Sequence, residues 1–247
     1  MEIAGSVAII TGGASGIGLA TAIKFAEEGA ECVVLADVNE EALTEAAELV
    51  TAAGAKAIPV KTDVSDLASL ENMYSICIEQ CGRVDIVFNN AGIVTGAQSY
   101  PETPPERIKL VLEIDLIAVI ISSQIAIGHM RNTGGGVIIN TGSTASFNPS
   151  LNEAPYTSAK AGVLMFSKSC KDLKGLYNIR VNALCPGITE TPILNKTGGG
   201  DRPEWLHSLM QEKRIWTAED VAINVMNICR DEEMYGDYIL MANEILD

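Results

Sequence analysis

Basic residues are scarce in this chain. Lys and Arg together number 17 against 32 Asp and Glu, so the 247 residues carry a formal net charge of −15. Proteins that bind nucleic acids need clustered Lys and Arg against the phosphates, and binding to anionic membrane surfaces needs the same groups. The composition therefore argues against both kinds of partner, although it says little about the fold.

Long apolar runs are also missing. The longest unbroken one covers residues 116–121, far short of the roughly 20 residues that a membrane-spanning helix needs. From Met1-Glu2 to Gly12 the chain has no basic segment of the kind that opens a signal peptide. We therefore expect a cytoplasmic protein with no membrane partner.

Metal ligands and paired cysteines are sparse as well. The two histidines, His129 and His207, share no ligand spacing, so we predict no metal site and expect packing or surface roles for both. The close pair Cys77 and Cys81 has a spacing that suits a helix face better than a zinc site. We expect buried or half-buried free thiols in a reducing cytoplasm at all six positions: Cys32, Cys77, Cys81, Cys170, Cys185 and Cys229.

What the sequence does contain is an alternation of two kinds of segment. Short β-branched apolar runs predict strands over residues 7–10, 32–35, 57–60, 86–88, 137–139, 179–184 and 238–241. Longer segments between them predict helices over residues 17–28, 40–53, 67–80, 105–130, 159–176 and 218–229. Continuously apolar strands are typical of a sheet buried on both faces. The alternation therefore predicts a single α/β domain with a parallel sheet covered by helices on both faces.

One segment, residues 192–217, interrupts this rhythm. It contains three consecutive glycines, Pro203, Trp205 and Trp216. A loop with short helices over a site is typical of such a sequence, so we expect this segment to cover the substrate.

The first predicted strand is followed by a glycine-rich turn and a helix. Residues 11–18 read Thr-Gly-Gly-Ala-Ser-Gly-Ile-Gly, and the glycines allow the backbone to turn tightly and approach a pyrophosphate. Backbone N–H groups at the helix N-terminus would meet the phosphate charge. A glycine turn alone is weak evidence, but its place between strand and helix favours a dinucleotide site.

Asp37 ends the second predicted strand, 19 residues after the last glycine of the turn. Its carboxylate could accept hydrogen bonds from the adenosine ribose and would repel a 2′-phosphate. Because Val38 rather than Arg follows, this favours NAD over NADP. The alternative is an Asp that only forms a turn or caps a helix. Asp63 and Val64 end the third strand and could contact the adenine, although a capping Asp is nearly as good an interpretation.

Tyr156 and Lys160 are spaced i and i+4, so on a helix they share one face. Free tyrosine has a pKa of about 10, too high for a general base at neutral pH, but a neighbouring ammonium lowers that pKa. Ser143 precedes Tyr156 by 13 residues, just after the fifth predicted strand, where its hydroxyl could bind a substrate oxygen. A Tyr and a Lys at this spacing are common on amphipathic helices. Here they follow a predicted nucleotide site and a serine in the chain, and this order makes the pattern specific for a catalytic pair.

Together these motifs resemble the short-chain dehydrogenase/reductase family over essentially the whole chain. Asn-Asn-Ala-Gly at residues 89–92, Asn182 and Pro-Gly-Ile-Thr-Glu-Thr at residues 186–191 also match, although a strand-end turn is the alternative for 89–92. The resemblance implies a Rossmann-type, doubly wound sheet of about seven strands. It implies Tyr156 as catalytic acid/base, Lys160 as the group that lowers its pKa and binds the nicotinamide ribose, and Ser143 as the group that positions the carbonyl.

The cofactor site follows from the motifs and the resemblance together. Its predicted members are Gly12, Ser15, Gly16, Ile17, Gly18, Asp37, Asp63, Val64, Asn90, Tyr156, Lys160, Pro186, Thr189 and Thr191.

Two features depart from the family pattern. The helix after the fourth strand usually carries an Asn that holds a water beside the lysine, whereas this chain has Asp115 there. If a backbone carbonyl carries that role, Asp can replace Asn; if the side chain carries it, a buried carboxylate would pair with Lys160 and alter the proton relay. Asp115 is thus a candidate catalytic residue, with a structural role as the alternative. The chain also ends without the usual Asp-Gly-Gly-like sequence, so its subunit packing is expected to differ.

The predicted reaction is hydride transfer between NAD and a secondary alcohol or ketone, with a hydrophobic substrate favoured. Two alternatives stay open: a 3-oxoacyl carrier-protein reductase, which Asp37 and the acidic composition disfavour, and a non-catalytic NAD-binding sensor or scaffold. The pattern also resembles the branch that contains 15-hydroxyprostaglandin dehydrogenase, and the resemblance implies a homodimer or homotetramer. Candidate pocket walls are Val94, Gln98, Thr144, Ala145, Asn148, Leu151, Glu153, Leu194, Trp205, Leu206 and Leu209.

Overall fold

The computed structural model describes residues 1–96, 98–196 and 212–244. Its centre is a sheet of seven parallel strands in the order β3-β2-β1-β4-β5-β6-β7. The strands are β1 (Val7–Thr11), β2 (Cys32–Asp37), β3 (Lys56–Lys61), β4 (Ile86–Asn89), β5 (Gly136–Thr141), β6 (Ile179–Pro186) and β7 (Tyr238–Met241). Every predicted strand is present, and the prediction of one α/β domain with a Rossmann-type parallel sheet is confirmed.

Helices connect the strands and cover both faces of the sheet. They are α1 (Gly16–Glu27), α2 (Glu40–Ala52), α3 (Leu67–Cys81), α4 (Pro105–Leu112), α5 (Ala118–Met130), α6 (Ala154–Ser169), α7 (Leu173–Tyr177) and α8 (Ala218–Arg230). A π-turn over Glu113–Ile117 joins α4 to α5, and 3₁₀ turns cover Thr144–Ser146 and Pro192–Lys196. One buried apolar cluster packs α1, α2 and α8 on the sheet, and a second packs α3 and α5 on the opposite face.

The central strands are buried along their whole length, but the edge strand β3 is not. Ile58 and Val60 point into the core, whereas Lys56, Pro59 and Lys61 are exposed. The prediction of continuously buried strands is therefore wrong for β3, and also for the other edge strand, β7, where Leu240 is exposed, because an edge strand has a solvent-facing side. Pro59 is tolerated there because a strand at the edge has N–H positions that need no partner strand.

The predicted helix over residues 105–130 is interrupted by the π-turn. By length and composition alone this stretch, Pro105–Met130, could cross a membrane, since an 18-residue window within it has a mean hydropathy of 2.1. Val111, Ala118, Ala126 and Met130 of this stretch are buried in the packed interior, as in the core helix of a globular domain. Asp115 lies inside the π-turn and is also buried, and such single-turn irregularities are frequent at functional sites.

The helix that carries the Tyr–Lys pair begins earlier than predicted. α6 starts at Ala154 rather than at residue 159, with Pro155 in its first turn, where a proline fits without losing a hydrogen bond. A break before Leu173 separates α7 from it. Tyr156 and Lys160 therefore both lie on α6, one turn apart, as the i, i+4 spacing predicts.

The carboxyl ends of the parallel strands all open on one edge of the sheet. From β1 the chain continues to β2 and β3 on one side, and from β3 it crosses back to β4 on the other side of β1. This reversal makes the gap between β1 and β4 a topological switch point. Ligands bind at such crevices in open α/β sheets. The last residues of β1, β2, β4, β5 and β6 surround this crevice: Thr11, Asp37, Asn89, Thr141 and Pro186.

Candidate active site

The glycine-rich turn after β1 is a closely packed piece of backbone. Gly12 has a φ of +65°, which favours glycine, and a Cβ on Gly18 would lie 2.1 Å from the carbonyl oxygen of Gly12. α1 begins within this turn, so its first N–H groups lack partners inside the helix. Such an arrangement can bind phosphate groups, and contacts of these residues with a cofactor stay a prediction. The turn contains the predicted residues Gly12, Ser15, Gly16, Ile17 and Gly18.

Asn90, directly after β4, is hydrogen-bonded to this turn. Its side-chain amide donates to the carbonyl oxygens of Thr11 and Gly12 at 3.0 and 3.3 Å. Its backbone N–H donates to the Thr11 hydroxyl at 3.0 Å. The 89–92 motif therefore positions the glycine turn, and a contact of Asn90 with the cofactor stays a prediction.

Asp37 lies at the end of β2 beside the same turn. Its two carboxylate oxygens accept hydrogen bonds from the backbone N–H groups of Ala14, at 3.3 Å, and Asn39, at 3.1 Å. The turn-forming role is thus present. Each oxygen still has a free lone pair, so Asp37 can also accept hydrogen bonds from a ribose.

Lys61 lies at this edge too, opposite Asp37 in the β2–β3 register. Its ammonium contacts a carboxylate oxygen of Glu40 at 3.1 Å, an exposed pair of small energetic value. Sequence reasoning missed Lys61 as a neighbour of Asp37, because strand register is invisible in a single sequence.

Asp63 shapes the turn that follows β3. It accepts hydrogen bonds from the backbone N–H and the hydroxyl of Ser65 at 2.9 and 2.6 Å. The residue that caps α3 is Asp66, whose side chain accepts from the N–H of Ala68 at 3.2 Å. Asp63 therefore is not the helix cap. Val64, the next residue in the chain, lines a small cavity. A contact of Asp63 or Val64 with the adenine stays a prediction.

The loop after β6 lies against the glycine turn. A Cβ on Gly16 would lie 3.2 Å from a methyl carbon of Thr191, so the two segments abut. Thr189 is buried and donates to the carbonyl of Gly187 at 3.1 Å. Of the predicted residues in this region, Thr191 thus lies against the turn, and contacts of Pro186, Thr189 and Thr191 with a cofactor stay a prediction.

Asn243 holds this loop from beyond β7. Its side-chain oxygen accepts from the N–H of Ile188 at 2.7 Å, and its amide nitrogen donates to the carbonyls of Ile188 and Arg214, both at 2.9 Å. Sequence reasoning missed this residue. The sequence feature that could have indicated it is the unusual tail after the last strand, because Asn243 stands there instead of the glycine-rich pattern of the family.

Ser143 follows β5 and begins the 3₁₀ turn. Its hydroxyl accepts from the N–H of Ala145 at 3.1 Å, and its own N–H donates to Ser146 Oγ at 3.3 Å. Ser146 Oγ donates in turn to the carbonyl of Lys160 at 2.9 Å. The 3₁₀ turn and α6 are thereby tied together, which brings Ser143 to Tyr156.

Lys160 makes a buried ion pair with Asp115. Its ammonium nitrogen lies 2.9 Å from Asp115 Oδ1 and 2.9 Å from the carbonyl oxygen of Thr141. The exposed fractions of the two side chains are 3% and 0%. The same nitrogen lies 5.7 Å from the centroid of the Tyr156 ring. Of the two possibilities for Asp115, the structure shows the one in which the side chain pairs with the lysine.

The three groups shift one another's pKa values. Burial raises the pKa of Tyr156 above 10.0; Lys160 and a hydrogen bond with Ser143 act to lower it, and Asp115 acts to raise it. Burial also raises the pKa of Asp115 above 3.8, against the effect of Lys160. Burial lowers the pKa of Lys160, but Asp115 and Tyr156 raise it more, so it lies above 10.5. Lys160 is therefore a cation at neutral pH.

Charged side chains from three elements hold the loop that follows the 89–92 motif. Asp115 accepts from the N–H of Ile93 at 3.1 Å. Glu153 accepts from the N–H of Thr95 at 3.1 Å, and Arg107 donates to the carbonyl of Thr95 at 3.0 Å. Arg107, which the sequence did not single out, is thus a positioning residue of the pocket. Glu153 uses one carboxylate oxygen on the loop.

The predicted pocket walls are placed unequally. Val94, Thr144, Ala145 and Leu194 are half-buried, whereas Gln98, Asn148 and Leu151 are exposed. Trp205, Leu206, Leu209 and His207 lie outside the described residues, as does most of the predicted covering segment.

The remaining histidine and the cysteines pack as expected. The ring of His129 stacks on Tyr74 with centroids 6.0 Å apart. All six cysteines are free and buried or half-buried, and burial raises the pKa of Cys185 to about 11, which leaves an unreactive thiol. In the described part of the chain, no cluster of three or more His, Cys, Asp and Glu side chains could hold a metal ion.

The substitution Lys160→Met would leave Asp115 buried without a counter-charge. We expect the free energy of unfolding at neutral pH to fall by about 3–5 kcal/mol, because an uncompensated buried charge is strongly destabilising. The loss should shrink as the pH falls, since protonation neutralises Asp115. Urea unfolding followed by circular dichroism measures the change.

The double variant Asp115→Asn/Lys160→Met is the control for that experiment. It should recover much of the lost stability, because neither partner is charged. Equal stability of the single and double variants at neutral pH would contradict an energetic role for the pair.

Known proteins share this sequence pattern. A family model described as short chain dehydrogenase matches residues 6–201. Levodione reductase from Leifsonia aquatica is 34% identical over 239 residues, which cover 93% of this chain and 89% of that protein. 2-(R)-hydroxypropyl-CoM dehydrogenase from Xanthobacter autotrophicus is 33% identical over 235 residues, which cover 93% of each.

The fold is shared as well. The crystal structure of 3-ketoacyl-(acyl-carrier-protein) reductase from Brucella melitensis, complexed with NADH, is similar with a TM-score of 0.88. It is 28% identical, and the match covers 98% of both chains. The family model spans the glycine turn, Asp115, Ser143, Tyr156 and Lys160. The chain therefore belongs to the short-chain dehydrogenase/reductase family.

Proposed function

We propose that this protein is an NAD-dependent oxidoreductase that transfers a hydride between the nicotinamide and a secondary alcohol or ketone. The observation that carries the proposal is the grouping of Ser143, Tyr156 and Lys160 at the carboxyl edge of the sheet that also carries the glycine turn. The names of two relatives, a dehydrogenase of a hydroxypropyl compound and a levodione reductase, support this reaction class.

The residues at the crevice fit a dinucleotide. The glycine turn offers backbone N–H groups where Gly18 leaves no space for a side chain, and Asp37 keeps free lone pairs for ribose hydroxyls. The loop with Pro186, Thr189 and Thr191 would face the carboxamide end. When bound, the nicotinamide supplies or accepts the hydride.

Tyr156 acts as the general acid/base in this mechanism. In alcohol oxidation, its phenolate takes the hydroxyl proton, while Ser143 donates a hydrogen bond to the oxygen that becomes a carbonyl. The ammonium of Lys160, 5.7 Å from the ring centroid, favours the phenolate. In carbonyl reduction Tyr156 returns the proton to the oxygen.

The choice of NAD over NADP rests on charge at the end of β2. The carboxylate of Asp37 would repel a 2′-phosphate, and Val38 beside it is 62% exposed and offers no positive charge. Lys61 lies at the same edge, but the carboxylates of Asp37 and Glu40 beside it leave no net positive charge there.

A second substrate class is a 3-oxoacyl thioester. The Brucella melitensis reductase, similar over 98% of both chains, is in complex with NADH, so a preference for NAD does not argue against this class. The net charge of −15 disfavours docking to an acidic carrier protein. Assays with both a hydrophobic secondary alcohol and a 3-oxoacyl thioester separate the two classes.

We also propose a cytoplasmic homo-oligomer, a dimer or tetramer, with the segment 192–217 as its substrate cover. Apolar side chains on helix surfaces support association: Ile117, Met165 and Ile223 are 46%, 63% and 48% exposed. Sedimentation analysis measures the assembly. The 15-hydroxyprostaglandin dehydrogenase branch stays a prediction that substrate profiling would test.

The double substitution Asp37→Ser/Val38→Arg should reverse the cofactor preference. We expect the ratio of NAD to NADP affinity to fall by about 100-fold, because a like-charge contact is replaced by an attractive one. Calorimetric titration with each dinucleotide measures this ratio. The control Asp63→Asn should leave the ratio nearly unchanged, and tighter binding of NADP to the unaltered protein would contradict the proposal.

The substitution Tyr156→Phe should lower kcat by about 10²–10⁴-fold with any active alcohol, because the acid/base is lost while the ring remains. Cofactor reduction followed by absorbance measures the rate. The control Tyr177→Phe, on an exposed side chain of α7, should keep full activity. Undiminished turnover in Tyr156→Phe would reject the mechanism. If the unaltered protein binds NAD but turns over none of a broad panel of alcohols, the non-catalytic sensor is favoured.

A further inference from the structure

We propose that Asp115 is a positioning residue that acts through Lys160. Its presence raises the pH at which Tyr156 loses its phenolic proton. Its carboxylate holds the lysine ammonium and offsets much of the positive charge that the tyrosine would otherwise feel. The proposal rests on the proposed function, since it assigns Tyr156 the proton transfer. It goes further by identifying a charge that, in addition to burial, disfavours the phenolate in this chain.

The ammonium of Lys160 is fixed between two acceptors. Asp115 Oδ1 and the carbonyl oxygen of Thr141 each lie 2.9 Å from the nitrogen, one from the π-turn and one from the end of β5. With 3% of its side chain exposed, Lys160 cannot exchange these acceptors for water. The distance from the Lys160 nitrogen to Tyr156 is therefore set by the positions of Asp115 and Thr141.

Asp115 is fixed in turn. Its second oxygen accepts from the N–H of Ile93 at 3.1 Å, and a Cβ on Gly92 would lie 2.7 Å from Oδ1. The carboxylate thus fills the space that glycine leaves. Because both sides of the ion pair are held, the charge on Asp115 acts on Tyr156 at a constant distance.

The charges around Tyr156 determine the sign of the effect. Lys160 favours its phenolate, while Asp115 and, more weakly, Glu153 disfavour it. Arg107 on α4 faces Asp115, and the thiol of Cys185 on β6 faces Lys160. A lone cation would favour the phenolate strongly, but a cation paired with a buried carboxylate has little net charge. Removal of the carboxylate should therefore favour the phenolate.

The isosteric substitution Asp115→Asn tests this directly. Tyr156 is titrated through the near-ultraviolet absorbance of tyrosinate, taken as the difference between each protein and its Tyr156→Phe derivative, without cofactor. We expect the midpoint in Asp115→Asn to lie at lower pH, with about tenfold more phenolate at a fixed pH below the original midpoint. The acid limb of kcat/KM for alcohol oxidation should move in the same direction.

Glu153→Gln is the matched control, because it also removes a carboxylate that accepts an N–H of the 93–95 loop. Its midpoint should move much less, since Glu153 has no contact with Lys160 among those the structure shows. An unchanged or higher midpoint in Asp115→Asn, or an equal shift in both variants, would overturn the proposal.

Two further outcomes are decisive. If Asp115→Asn does not fold, Asp115→Ser is titrated instead, and failure of both variants to fold would show that the pair is purely structural and overturn the proposal. If the midpoint falls but the unaltered protein turns over no substrate, the proposed function is rejected while the role of Asp115 in setting the Tyr156 titration is supported.

Discussion

The burial of one ammonium group, that of Lys160, is the constraint around which the site is built. A buried cation is stable only where a counter-charge and hydrogen-bond acceptors surround it. The counter-charge comes from Asp115 in the π-turn and the acceptor from Thr141 at the end of β5. Gly92 has to lack a side chain because the carboxylate occupies that space. The surroundings of one charge thus join the π-turn, the end of β5 and a position where a side chain would meet Asp115.

A buried network of amides and hydroxyls lies behind these groups. Asn89 donates to Asn140 at 2.9 Å across the β4–β5 pair, and accepts from Ser122 on α5 at 2.7 Å. Asn140 donates to Ser167 on α6 at 3.0 Å. Because such a network is fully buried and satisfied, it fixes the elements that it joins. The network therefore fixes the position of α6, which carries Tyr156, relative to β5, whose last residue binds Lys160.

The fold could be predicted because its signals are local. Each central strand is a short apolar run next to its own turn, and the glycine turn, Asp37 and the Tyr156–Lys160 spacing are likewise contiguous patterns. The groups that sequence reasoning missed are brought together only by tertiary packing: Arg107 reaches a loop from α4, and Asn243 reaches Ile188 from beyond β7. For the same reason, sequence alone leaves both a side-chain and a backbone role open for Asp115. The early start of α6 is hidden because the residues before Tyr156 include two prolines.

The hydrogen bonds of Asn243 join the loop after β6 to a residue that is synthesised late. Gly12 emerges from the ribosome 231 residues before Asn243, since 243 − 12 = 231. Until that residue is made, Ile188 lacks its two hydrogen bonds with the Asn243 side chain, although Trp216 can already donate to its carbonyl. Domains can fold while they are still being made. Here the glycine turn after β1 is made early, whereas the hydrogen bonds between Asn243 and Ile188 form only after the chain beyond β7 has been made.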